Sequence, residues 1–238
     1  MTGQQRTTTP IAERLRTAMR SAHGALETTP FAAAMFSGTL PLERYVTQLA
    51  AHGVILATLE DELSRATEPA VAQVWSADLV KLPLIEHDLR FFAGRDTVAH
   101  PPEQADHCAA EVRRTARTDA TALLGFLYVL EGSTLGARFL LPRVRTAYQL
   151  REPDGLAYYA SGDRDRWARF TARLNGALTA ADAQDRVLAA ATAAYRHIAH
   201  LARALSTGLT PAPASASNPA RTPGPTPGET LTATRHPR

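Results

Sequence analysis

His23 stands three residues after Arg20 and seven after Arg16. In a helix that spacing sets all three on one face, an imidazole at one end and two guanidiniums behind it. A neutral imidazole ligates iron through a ring nitrogen, and a guanidinium meets a carboxylate as a planar fork. The face suits a ligand that carries both a metal and acidic groups. It also describes a surface histidine among arginines on an amphipathic helix, and spacing alone does not separate the two. Gly132 and Gly136 pose a related question, because they interrupt "LYVLEGSTLGARFLL", a run otherwise made of helix formers. A glycine inside a helix costs roughly 1 kcal/mol relative to alanine, and two of them four residues apart leave one face as bare backbone. Bare backbone admits either a neighbouring helix or a flat ligand. A metal macrocycle gripped between the histidine-bearing helix and the glycine-notched helix would explain both features together.

Helices must position these groups, and the sequence supplies them. Thr9-Pro10 reads as an N-cap and first helical position, and Ile11, Leu15, Ala18, Ala22 and Leu26 follow at helical spacing. Thr29-Pro30 repeats the start signal and Gly38 supplies a stop. From Pro41 to about Ala66 a stripe runs through Tyr45, Leu49, Gly53, Leu56, Leu59 and Leu63. Further helices are predicted near 79–93, 103–117, 119–147, 163–178 and 181–206. No segment alternates with a period of two for long enough to make a strand. The fold class is therefore all-α, a single-domain multi-helix bundle over 11–206. Residues 1–10 are expected to be a flexible N-terminus. Residues 207–238, rich in Pro, Ala, Ser and Thr, are expected to be a disordered tail with no catalytic role.

Composition removes several function classes. The chain has 238 residues, 45% of them hydrophobic, enough for one substantial core. Cys108 is the only cysteine, so one chain can form neither an internal disulfide nor a cysteine zinc or iron–sulfur site. A reducing cytoplasm fits. Lys81 is the only lysine, and the net charge of +3 comes from arginines scattered among acids. No basic stripe with interleaved aromatics or nucleic-acid motif is found. The N-terminus lacks the apolar core of a signal peptide, and no uninterrupted apolar run approaches the length of a membrane span. No histidine has a glutamate three residues before it, which disfavours a di-iron carboxylate bundle. His197 and His200 read as helix-surface residues, and Cys108, in the polar segment "EQADHCAAEVRR", as a surface residue and not a nucleophile.

The segments "LRTAMRSAHGALE", "RYVTQLAAHGVILATLEDEL" and "YVLEGSTLGARFLLPRV" together resemble haem oxygenase, in particular its soluble bacterial, biliverdin-producing branch found with bacterial phytochromes. The similarity runs over residues 11–206, in the same order and with similar gaps. It implies His23 as the proximal ligand of haem iron, Arg16 and Arg20 as partners of the haem propionates, and Gly132 and Gly136 as the glycines where a distal helix bends over the haem. Basic residues on a late helix also meet propionates in that family, which leaves Arg166, Arg169 and Arg173 as candidates. Members of the family read Gly-Asp-x-x-Gly-Gly on the distal helix, the aspartate holding water that delivers protons. Here the run is Gly132-Ser133-Thr134-Leu135-Gly136-Ala137, so a neutral hydroxyl replaces the carboxylate. Glu131 is adjacent but points roughly 100° away round the helix.

The activity implied is oxidative cleavage of haem b, as both cofactor and substrate, to biliverdin, CO and iron. The protein orients the haem and places water, while the redox chemistry belongs to the cofactor. Nothing in the sequence resembles a flavin or nicotinamide fingerprint, so electrons come from a partner, a ferredoxin or a reductase. A biliverdin-accepting phytochrome is implied on the same resemblance, and neither nucleic acid nor membrane is an expected partner. The alternative is a haem carrier or sensor that binds without turnover.

Overall fold

The computed structural model describes residues 9–95, 97 and 99–209, and every regular element among them is helical. The first helix, α1 (Ile11–Glu27), buries Ile11, Leu15 and Met19, four residues apart, and leaves its charged face free. Its start is one residue later than the Thr9-Pro10 signal implies: Pro10 is the N-cap and no side chain caps the helix. α2 (Pro30–Ser37) begins and ends as expected. Thr29 accepts a hydrogen bond from the Ala32 N–H, and Gly38 closes the helix at φ 70°, a left-handed conformation that glycine adopts without a Cβ clash. α3 (Leu42–Arg65) buries the apolar stripe read from the sequence and packs on α5 (Leu82–Ala93) and α6 (Glu103–Thr118). α7 (Leu123–Ala147), α9 (Arg164–Ala177) and α10 (Ala181–Leu205) match the remaining expected segments.

Two short helices were not anticipated, α4 (Pro69–Val74) and α8 (Ala157–Ala160), because six and four residues are too few to show a helical period. The core forms where α10 crosses α7, α6 and α1. At the α7 crossing, a Cβ on Gly125 would lie 2.3 Å from the Val187 carbonyl oxygen and 2.6 Å from the Ala191 nitrogen. Only glycine permits that approach. Contrary to the count of uninterrupted apolar runs, the stretch Ala120–Ala147 is long and apolar enough to cross a membrane, but 67% of that window is buried against other helices. Its apolarity serves the core.

Cys108 is a second correction. It is buried beneath α6, 2% exposed, and burial pushes its thiol up to about 12. Its hydrophilic neighbours in sequence occupy the opposite face of an amphipathic helix. It is unsuited to nucleophilic catalysis for that reason and not because it lies at the surface. His197 and His200 stand on the outer part of α10 as expected, ring centroids 6.5 Å apart. Among the described residues no cluster of three or more His, Cys, Asp or Glu side chains could hold a metal. Of the expected tail, the Thr207 carbonyl accepts from Arg44; the expectation for 210–238, like that for 1–8, lies outside the described residues.

Candidate active site

A cavity of about 500 Å³ opens between α1 and α7, with α2, α3, α8 and α10 completing its walls. Its volume is in the range of small-molecule and cofactor pockets, and most of its lining is apolar. Arg16, Arg20 and His23 reach it from α1, and Gly132, Ser133 and Gly136 from α7. The amphipathic pattern of α1 explains the first group, since burying Ile11, Leu15 and Met19 turns the arginine and histidine face outward to the cavity.

His23 keeps 58% of its side chain exposed. Its Nδ1 lies 3.6 Å from Oε1 of Glu27, one turn later, too long for a hydrogen bond but on the same ring edge, which leaves Nε2 as the nitrogen available to a ligand. Arg16 and Arg20 are both exposed on the cavity side, Arg16 close to the Tyr128 phenol. One imidazole, two guanidiniums and an apolar slot floored by bare backbone fit a metal macrocycle with acidic substituents.

The three glycines of α7 do different things. Gly125 packs against α10, as described above. A Cβ on Gly132 would come 3.3 Å from the Trp167 ring, so this glycine both faces the cavity and makes room for an aromatic neighbour. A Cβ on Gly136 would have no neighbour within 4 Å. No helix packs there, so the cost of that glycine is answered by open space and not by packing.

The far side of α7 is pinned by buried charge. Glu131, 3% exposed, receives Arg166 Nε at 2.6 Å on one carboxylate oxygen. Lys81 Nζ approaches the other oxygen at 2.9 Å, close enough to pair but off the hydrogen-bonding angle, and it donates to the Leu79 carbonyl at 2.8 Å. Burial pulls the Lys81 ammonium down from its ordinary range and Glu131 opposes that pull. Below this cluster the Gly162 backbone meets α7 so closely that a Cβ would fall 2.3 Å from the Thr134 carbonyl oxygen, and Arg138 Nη1 donates to the Gly162 carbonyl at 2.7 Å. These contacts fix which face of α7 turns to the cavity.

They also displace part of the sequence reading. Arg166, Arg169 and Arg173 do not line the cavity. Arg166 holds Glu131, Arg173 bonds Ser76 and lies 3.7 Å from Asp78, and Arg169 reaches the same Asp78 at 3.9 Å. A buried carboxylate distant in sequence holds Arg166, and Ser76 and Asp78 lie beside the other two, neighbours that periodicity cannot reveal.

Sequence reasoning did not assemble the polar wall beside Ser133. Gln48 and His52 of α3 line it, both buried, and so do Tyr158 and Tyr159 of α8. His52 Nδ1 sits 2.9 Å from the Gln48 carbonyl, which can only accept, so Nδ1 carries the proton. Burial lowers the pKa of this histidine and keeps the ring neutral. Two polar residues one turn apart within the apolar stripe of α3 were a legible signal; the tyrosines of a four-residue helix were not.

The match to known proteins follows this geometry. Residues 9–204 fit the family model described as heme oxygenase. The chain is 30% identical over 170 residues to a heme oxygenase of Xanthomonas campestris pv. campestris, covering 69% of this chain and 92% of that protein. It is 25% identical over 165 residues to a heme oxygenase of Takifugu rubripes, of which the match spans 59%. Among solved structures, heme oxygenase-2 of Synechocystis sp. PCC 6803, in complex with heme and NO, superposes with a TM-score of 0.77 at 20% identity, covering 83% of this chain and 85% of that one. The heme oxygenase of Leptospira interrogans gives 0.75 at 20% identity, over 82% of this chain and all of that one. At such identities the structural likeness is one of fold. With the family model covering most of its length, the chain belongs to the haem oxygenase family, the enzymes that degrade haem to biliverdin.

Proposed function

We propose that the cavity between α1 and α7 takes haem b, with His23 as the protein ligand of the iron and Arg16 and Arg20 as partners of the propionates. The observation that carries this reading is the meeting of His23 with the Gly136 backbone across one cavity, where a Cβ on Gly136 would project into open space. When bound, haem supplies the iron that binds O₂ and the ring carbon that is oxidised. The chain supplies orientation and surroundings. His23 would hold the iron, and Glu27 stands ready to orient its imidazole. Gly132 and Gly136 leave the facing wall as bare backbone that a flat ligand can approach, and Trp167 and Tyr128, ring centroids 5.1 Å apart, close one side with apolar surface. Ser133 and the neighbouring polar wall hold water where protons are needed.

Family membership implies an external electron donor. Since the sequence carries no flavin or nicotinamide fingerprint, we assign that role to a ferredoxin or a reductase. A biliverdin-accepting phytochrome is the product's destination on sequence resemblance alone. The test is His23→Ala. The variant should lose the absorption spectrum of the wild-type ferric complex and regain much of it when imidazole is supplied. An unchanged spectrum would overturn the assignment and move the ligand to His52, the other imidazole on the cavity wall.

A further inference from the structure

Ser133 occupies the place of the expected aspartate, but its proton is already committed, because Oγ donates to the Leu130 carbonyl at 2.7 Å. The hydroxyl faces the cavity with lone pairs alone. His52, whose Nδ1–H is held by the Gln48 carbonyl, likewise offers only the lone pair of Nε2. The Tyr159 hydroxyl donates to Gln48 Oε1 at 2.8 Å. Beside these groups the phenol of Tyr158 lines the same cavity within hydrogen-bonding reach of the Ser133 hydroxyl, whose lone pairs it meets; its O–H turns about the C–O bond, so the same proton also reaches a ligand held in the cavity. We propose that Tyr158 is the principal hydrogen-bond donor of the distal wall, orienting the water or oxygen bound on the open side of the iron in place of the absent carboxylate. The inference rests on the haem-binding reading above.

Three features prepare Tyr158 for this role. Its ring is 2% exposed and lies against His52, centroids 5.8 Å apart, so its direction is set by packing. Its backbone is held by a carboxylate from another helix: the fully buried Asp88 of α5 accepts from the N–H groups of Ala157 and Tyr158, each at 2.9 Å. A four-residue helix has little stability of its own, and this clamp supplies what length does not. Burial pushes the phenol up to about 12 against the opposing pull of the Ser133 hydroxyl, with the nearby carboxylates of Glu131 and Glu60 adding to the rise, so it stays protonated. Tyr158 gives a hydrogen bond and keeps its proton; protons consumed in the reaction arrive through water. Asp88 is a positioning residue. Gln48 retains its amide N–H₂ group and is the rival donor.

The experiment follows the deprotonation of iron-bound water by absorption as the pH of the ferric haem complex is raised, in wild type, Tyr158→Phe, Ser133→Ala and Gln48→Met. A donor stabilises bound hydroxide over bound water, so Tyr158→Phe should raise the midpoint by about one pH unit. Haem affinity of that variant should stay within about threefold of wild type, since the iron–histidine bond is untouched. Ser133→Ala should move the midpoint less. An unchanged midpoint in Tyr158→Phe, or a larger shift in Gln48→Met, overturns the proposal. If wild type takes up no haem, the binding reading itself fails and this inference with it. Should Tyr158→Phe not fold, as judged by melting of the haem-free protein, Asp88→Asn replaces it: its midpoint should also rise, and a wild-type midpoint there is the contradicting result.

Discussion

Lys81, the only lysine in the chain, holds its ammonium 2.9 Å from the Glu131 carboxylate, directly behind the first cavity-facing glycine of α7. Both side chains are buried, and Arg166 closes on the same carboxylate from α9. Removing one partner of a buried ion pair typically costs about 3–5 kcal/mol, because the other charge is left without compensation. Arg166 remains in Lys81→Met, so the expected loss is at the lower end, about 3 kcal/mol. Urea unfolding of the haem-free protein measures it. Stability equal to wild type would mean that the pair does not hold α7.

The glycines of α7 should separate into packing and ligand classes. Gly125→Ala forces a methyl onto the α10 backbone and should cost about 1–3 kcal/mol or more of haem-free stability, the range for overpacking. Gly136→Leu meets open space and gains helix propensity, so the haem-free protein should be unchanged or up to about 1 kcal/mol more stable. Its haem affinity should fall about tenfold or more, the equivalent of about 1.4 kcal/mol. Equal destabilisation of the two haem-free variants would assign Gly136 to helix packing.

Much of this organisation was legible in the sequence. The long helices carry three or more turns of periodic burial, and Thr29 and Gly38 punctuate α2 through local backbone chemistry that any tertiary setting preserves. His23, Arg16 and Arg20 share a face by helical geometry alone. What escaped depends on contacts between distant segments. Arg166 points to Glu131 and not to the cavity because a buried carboxylate waits on another helix. Tyr158 enters the site because Asp88, far away in the chain, caps its helix. Cys108 is buried although its neighbours in sequence are hydrophilic, since they lie on the other face of α6.

Asp88 should make stability depend on pH. Burial raises its carboxyl from 3.8 to about 6, against the two N–H donors that favour the charged form. A group with its folded pKa raised contributes stability that is fully present below the unfolded value and lost as pH rises through the folded one, here between about 4 and 6. A shift of this size is worth at most about 3 kcal/mol. Relative to Asp88→Asn, which cannot titrate, wild type should therefore gain stability when urea unfolding is repeated at pH 4.5 instead of pH 7. A stability difference between the two proteins that is independent of pH would show that Asp88 does not titrate in this way.

Cys108 should be inert in the native protein. A thiol raised to about 12 and sealed beneath α6 has almost no thiolate at neutral pH. A disulfide-exchange reagent should label it slowly in buffer and fully in denaturant. Rapid native labelling would place the thiol at the surface.

We propose that this chain degrades haem held between His23 and the Gly132/Gly136 face. The most direct measurement is absorption of the purified ferric haem complex in air after addition of ferredoxin, its reductase and NADPH, with CO collected from the headspace. The Soret band should decay as biliverdin absorption grows, and CO should be released in an amount equal to the haem consumed. A reduced complex that keeps its Soret band and yields neither biliverdin nor CO would contradict the account and leave a protein that binds haem without turning it over.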